Sequence, residues 1–292
     1  MCDEDTVAEN NKYLQQQAGL TRRAFNQLTA AAAVTMILPG IANAADVLET
    51  NVIVRTPDGE ADCYFVHPSS GKHPGVIIWP DILGLRPAFR SMGKRLAQSG
   101  YSVLVVNPYY RNAKAPVIPE GASFQDESIR NTVLPYARAL SAATTTTDAR
   151  AFVSFLDAQP AVDTNKKIGT TGYCMGGPFT MRTAAAIPER IGAGASFHGG
   201  RLVTDKPDSP HLLVAQMKAQ FLFAIAENDD ERDPEAKNIL RKTYVEAGLP
   251  AEIEVYEGAM HGWCPPDSRV YNEAQAERAW SRLLVLFETA LG

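Results

Sequence analysis

Glycines crowd around one cysteine in Gly172-Tyr173-Cys174-Met175-Gly176-Gly177. The run Lys167–Thr171 precedes this stretch, and Pro178–Ala186, helical in composition, follows it. The spacing Gly-x-Cys-x-Gly predicts a sharp strand-to-helix turn whose central side chain projects from a sheet edge. Glycine suits both flanking positions, because a Cβ there would collide as the turn closes. A helix starting at the turn aims its N–H groups and the positive end of its dipole at the sulfur. That favours thiolate, the nucleophilic form. The bland alternative is a buried structural cysteine in a glycine-rich turn.

A thiol nucleophile needs a base, and the base needs an orienting group. Of the five histidines, only His198, His211 and His261 follow Cys174 in the chain. His261 lies in Glu257-Gly258-Ala259-Met260-His261-Gly262-Trp263, just beyond the last predicted strand, and is the expected base. His198, after the strand predicted over 192–197, is the alternative base or a pocket residue, and His211 falls in a polar connector. The acid is expected after the strand predicted near 221–226, in the carboxylate-rich run Glu227–Asp233. Asp229 is the first choice there and Asp230 the second. The remaining carboxylates read as solvated charges and helix caps.

An acyl-transfer site must also hold an oxyanion with two backbone N–H groups. Met175, the residue after the nucleophile, supplies one. The other comes from the loop after an early strand, Trp79-Pro80-Asp81-Ile82-Leu83-Gly84-Leu85-Arg86, with Ile82 as donor. Two such donors each lower the barrier by ~3 kcal/mol.

The elements that must position these groups are legible as short apolar runs. Strands are predicted over 51–55 and 61–66, joined by Pro57-Asp58-Gly59 as a hairpin, then over 75–79, 102–106, the run before Gly172, 192–197, 221–225 and 253–256. Unbroken apolar runs suit strands covered on both faces. Helices are predicted over 90–98, 148–158 with Thr147 as a cap, 235–247 and 274–291. The alternation predicts an α/β fold with a mostly parallel sheet after the first hairpin. Residues 111–140, rich in Pro, Asn, Ser and Gln, read as an excursion over the sheet's active edge.

The chain of 292 residues carries a net charge of −5, which gives no basic surface for nucleic acid. No apolar run reaches the roughly 20 residues of a membrane span, so no stable membrane anchor is expected. The N-terminus has the layout of an export signal: Arg22-Arg23, an apolar stretch over 28–38, then Ala42-Asn43-Ala44. Paired arginines before a moderately apolar stretch resemble a twin-arginine signal. Cleavage after Ala44 would leave residues 45–292 as one domain, delivered by the twin-arginine machinery to a bacterial periplasm, with residues 1–44 outside the fold. Cys2 would leave with the signal. Cys63, Cys174 and Cys264 would remain, an odd number, so at least one thiol is free or paired between molecules. No CxxC or HExxH occurs, and neither metal nor cofactor is expected.

Together, Gly172–Gly177, Asp81-Ile82-Leu83-Gly84-Leu85, Asn107-Pro108-Tyr109-Tyr110-Arg111 and His261-Gly262-Trp263 resemble the dienelactone hydrolase family of the α/β-hydrolase fold. The resemblance covers nearly all of residues 50–290. It implies a central sheet of about eight strands with helices on both faces, and a Cys174–His261–Asp229 triad. The implied activity is cleavage of a small ester or lactone through a thioester. The family's early loop usually carries Glu where this chain has Asp81, and that carboxylate pairs with the resting thiol. Arg111 matches the first of two arginines that hold a substrate carboxylate, with Tyr110 beside it and Trp263 near the base. The second arginine's place is taken by Pro265. Two other classes compete: a thiol redox protein pairing Cys174 with Cys264, and a hydrolase-like binding protein without catalysis.

Overall fold

Short apolar runs become the strands of one sheet in the computed structural model, which describes residues 4–21 and 44–292. The strands are β1 (Val47–Thr56), β2 (Gly59–Pro68), β3 (Gly75–Trp79), β4 (Ser102–Val105), β5 (Ile168–Tyr173), β6 (Ile191–Phe197), β7 (Gln220–Ala226) and β8 (Ala251–Tyr256). They lie in the order β1-β2-β4-β3-β5-β6-β7-β8. β1 and β2 form the expected hairpin, and β2 runs antiparallel to β4. Every later pairing is parallel. This is an α/β-hydrolase fold, with helices covering the central sheet.

Alternation along each strand divides the core in two. Ile77, Trp79 and Leu104 pack into one apolar layer, while Val76, Ile78, Val103 and Val105 pack into the other. Both faces of β3 to β7 are buried, so these strands read as continuous apolar runs instead of alternating ones. The parallel strands β3, β5, β6, β7 and β8 all end at one edge. The loops after Trp79, Tyr173, Phe197, Ala226 and Tyr256 therefore converge there, the usual place for a site on an open α/β sheet.

The helices are α1 (Glu4–Thr21), α2 (Pro87–Gln98), α3 (Glu127–Ala139), α4 (Ala142–Asp157), α5 (Gly177–Ala186), α6 (Glu227–Arg232), α7 (Ala236–Glu246) and α8 (Glu273–Ala290). Four of them depart from the sequence reading. α4 starts six residues before 148, because Ser141 and Thr144 form a reciprocal capping box. Thr147 is consequently inside the helix and not its cap. The excursion over 111–140 contains α3, and the carboxylate run contains α6. Residues 4–21, expected to stand outside the fold, form α1 and lie against the domain. Cys2, Arg22-Arg23, the apolar stretch 28–38 and Ala42-Asn43 lie outside the described residues. Among the described residues no helix is long and apolar enough to cross a membrane.

Candidate active site

Cys174 stands at the end of β5 with φ +50, and its side chain is 1% exposed. A left-handed backbone at a non-glycine residue costs on the order of 1–2 kcal/mol. Surrounding contacts must hold it there. Cys174–Gly176 form one 3-10 turn, and α5 follows directly. A Cβ on Gly172 would lie 2.1 Å from the carbonyl oxygen of Gly176. A Cβ on Gly176 would lie 2.3 Å from the carbonyl oxygen of Trp79 and 2.8 Å from that of Pro80. The glycines thus let the turn fold onto itself and press against the loop that carries Asp81 and Ile82.

His261 is 1% exposed and donates from Nδ1 to Asp229 Oδ2 at 2.6 Å. Asp229 comes from the first turn of α6 after β7, and His261 from the loop after β8. Asn228, the residue before the acid, accepts the backbone N–H of His261 on Oδ1 at 2.8 Å. One short helix therefore orients both the ring and the main chain of the base. Asp230, the second choice for the acid, pairs with Lys237 instead. Burial alone would push the His261 pKa down, but the charges of Asp229 and Cys174 outweigh it and raise it to about 10. Cys174 acts on the ring both by its charge and by a side-chain hydrogen bond. A ring held by a carboxylate on one side, and coupled to a thiol, suits proton transfer.

His198 packs its ring 5.2 Å from that of His261. It is 1% exposed, has φ +40, and neither ring nitrogen is hydrogen-bonded. Burial, and then the charge on His261, hold its pKa well below the ordinary value. It packs against the base as a neutral ring.

On the other side of Cys174 lies the loop after β3. Asp81 is buried and takes two bonds from Arg86, at 2.6 and 3.0 Å, and one from the N–H of Leu83 at 2.9 Å. Arg86 also donates to both oxygens of Asp267, at 2.5 and 2.9 Å. Burial pushes the Asp81 pKa up, Arg86 opposes it, and Asp267 and Cys174 add smaller upward pushes. Ile82 and Met175 are joined through Tyr109, whose hydroxyl lies 2.8 Å from the Ile82 carbonyl oxygen and 3.4 Å from Met175 Sδ. Cys174, His261, Asp81, Ile82, Arg86, Asp267 and Arg269 all line one cavity of about 70 Å³.

Other expected residues stand elsewhere. Arg111 is bound to Asp148 and Asp58, and Tyr110 to Thr56 and Asp148. Neither lines the cavity at Cys174. Trp263 is buried, stacked on Tyr256 at 4.9 Å and edged by His198 at 6.1 Å. Among the described residues Cys63, Cys174 and Cys264 form no disulfide. Cys264 packs with Tyr173 and Phe197 in the core layer opposite to that of Cys174. Among the described residues no group of three or more His, Cys, Asp or Glu is arranged to hold a metal ion.

Sequence reasoning missed Arg86, Asp267, Arg269 and Asn228. Arg86 carried a faint signal, five residues from Asp81 in the same loop. Asp267 and Arg269 carried none, because only the fold brings the segment after His261 back over that loop.

The dienelactone hydrolase family model matches residues 61–291. The carboxymethylenebutenolidase of Rhodococcus opacus is 27% identical over 244 residues, covering 81% of this chain and 90% of the relative. A Bradyrhizobium protein named as a probable 2-oxo-3-(5-oxofuran-2-ylidene)propanoate lactonase is 25% identical over 220 residues, covering 74% and 84%. Among solved structures, a dienelactone hydrolase-like promiscuous phosphotriesterase from metagenomic libraries superposes with a TM-score of 0.67 at 22% identity. That match covers 84% of this chain and 99% of the other, and carries the fold alone.

Proposed function

The chain belongs to the dienelactone hydrolase family, and from that premise we propose that it cleaves a small ester or lactone by acyl transfer to Cys174. The cysteine sulfur, as thiolate beside protonated His261, attacks the acyl carbon. The carbonyl electrons move to oxygen, which the N–H groups of Ile82 and Met175 stabilise. The tetrahedral species collapses by breaking the C–O bond, and His261 gives its proton to the departing alkoxide. His261 then takes a proton from water, whose oxygen attacks the thioester, and the carboxylic acid leaves as the thiolate re-forms. Asp229 fixes the ring's tautomer and supports its positive charge.

The observation that carries this reading is the 2.6 Å contact between His261 and Asp229, on a ring that shares a cavity with Cys174. Arg269 lines the same cavity and is held there at a half-exposed position by Asp126 and Gln125, whereas Arg111 stands outside it, engaged by Asp58 and Asp148. We therefore assign recognition of a substrate carboxylate to Arg269. The relatives named as a butenolidase and a lactonase favour a lactone substrate.

The test is a burst assay with an activated ester, paired with intact-mass detection of an acyl group on Cys174. A stoichiometric burst and an acyl adduct are expected, both lost in Cys174→Ser and His261→Ala. Turnover that persists in Cys174→Ser would refute the proposal. Esters with and without a free carboxylate then test Arg269: Arg269→Ala should raise KM for the carboxylate-bearing ester alone.

Export through the twin-arginine route to the periplasm, with residues 45–292 as the mature domain, is proposed on the layout of residues 22–44. Cell fractionation of wild type and Arg22→Lys/Arg23→Lys tests it. Periplasmic protein from the wild type, lost in the double variant, is the expected result.

A further inference from the structure

α1 is polar along most of its length, yet Thr6 is 2% and Asn10 8% exposed. These two residues lie four apart, on one face of the helix. That face meets the catalytic cavity. Thr6, Val7 and Asn10 line it together with Cys174 and His261. Asn10 Nδ2 donates to the backbone carbonyl of His261 at 3.1 Å. Glu9 Oε2 accepts from Asn228 Nδ2 at 2.6 Å and from Arg232 Nη2 at 2.6 Å. Arg232 Nη1 also reaches Thr6 Oγ1 at 3.4 Å. Asn228 is the residue whose Oδ1 holds the His261 N–H. The helix is thus fastened to the base itself and to the short helix that carries the acid.

We propose that α1 is an intramolecular cap that occludes the catalytic cavity, so that access to Cys174 depends on its undocking. The cavity beneath α1 measures about 70 Å³. Clefts that enclose small ligands usually run to about 300 Å³ or more. An ester and its attacking water need more room than the docked helix leaves. The contacts that hold α1 include polar bonds at a half-exposed seam, and contacts of that kind open locally at low cost, so the docked state is open to tuning. Where residues 1–44 are removed in export, the cap departs with them, and the mature enzyme is the open form. The inhibitory meaning of the cap rests on the hydrolase reading above; the occlusion of Cys174 does not.

The experiment measures alkylation of Cys174 in the full chain by iodoacetamide, read cysteine by cysteine by peptide mass spectrometry. No hydrolysis is required, so a failed esterase assay leaves this test intact. Glu9→Lys abolishes both bonds of Glu9 and sets like charges together at Arg232. The Cys174 rate should rise about tenfold to a hundredfold, the range for losing a charge-assisted hydrogen bond. The double variant Glu9→Lys/Arg232→Glu should return it toward the wild-type value. Asn10→Ala, a milder change, should raise the rate in the same direction and carries the test if Glu9→Lys fails to fold. Rates within twofold of wild type in the folded variants would overturn the proposal. So would a rise that the charge swap does not reverse, or one shared by buried Cys63, since either outcome means general loosening.

Discussion

Replacing Asp229 by Asn probes the base most directly, because it removes a charge and nearly preserves shape. Asp229 contacts a ring that is 1% exposed, while its own side chain is 13% exposed. Charge centres about 4 Å apart at an effective dielectric near 20 interact by about 4 kcal/mol. One pKa unit corresponds to about 1.4 kcal/mol, so losing Asp229 should lower the His261 pKa by up to about 3 units. From about 10, that returns the ring close to its ordinary range. The thiolate then loses its counter-cation at neutral pH. The assay follows thiolate absorbance at 240 nm against pH, alongside kcat/KM for an activated ester. In Asp229→Asn the thiolate transition should move to higher pH, and kcat/KM should fall by about 10²- to 10⁴-fold, the usual range for impaired general acid–base catalysis. A thiolate transition within half a pH unit of wild type, with kcat/KM within threefold, would refute the assignment of Asp229 and the ion-pair picture together.

Three further outcomes follow from the same contacts. Tyr109→Phe removes the hydroxyl that lies between Ile82 and Met175, so kcat should fall about tenfold or more with KM little changed, as for a lost interaction made only in the transition state; an equal change in KM would contradict it. Arg86→Met leaves buried Asp81 and half-buried Asp267 without their cation and should destabilise the fold by about 3–5 kcal/mol in urea denaturation; a loss under 1 kcal/mol would contradict it. Burial holds His198 neutral below its ordinary pKa of 6.5, so the unfolded chain binds the extra proton there and stability should fall as pH drops below 6.5, by about 1.4 kcal/mol per pH unit for one proton. His198→Gln should flatten that acid limb. The limb above 6.5 slopes the other way, because His261 loses its stabilising contribution as pH rises through about 10.

The sheet was readable because strands β3 to β7 are short apolar runs bounded by turn residues, and most parallel crossovers leave an α-helix between two such runs. The nucleophile turn was readable because Gly172 and Gly176 tolerate no side chain, so the constraint is written in the residue types. Asp229 was separable from Asp230 only in part. Both follow the same strand, and only the winding of α6 sends one to His261 and the other to Lys237. Asp267 and Arg269 were invisible, since their partners Arg86 and Asp126 are more than 140 residues away in the chain. α1 was not legible for a different reason. Its polar sequence has little apolar periodicity, and its docking uses hydrogen bonds that Glu9 accepts and Asn10 donates, which pattern reasoning does not weigh.

Two carboxylates act on Cys174 from opposite sides, and they should act with opposite sign. Asp229 works through His261: it stabilises the imidazolium, which stabilises the thiolate. Asp81 faces the same cavity paired with Arg86, and its pKa is pushed up in part by Cys174. Electrostatic coupling is mutual, so the Asp81 charge must make the thiolate harder to form. Arg86 does not cancel this effect, because it is shared between Asp81 and Asp267 and the trio carries one net negative charge. Asp81→Asn should therefore move the thiolate transition to lower pH, by about one unit for a like charge removed at close range. In the same measurement Asp229→Asn moves it to higher pH. If both substitutions shift the transition upward, Asp81 is a structural partner of Arg86 with no hold on the thiol, and the opposition of the two carboxylates is wrong.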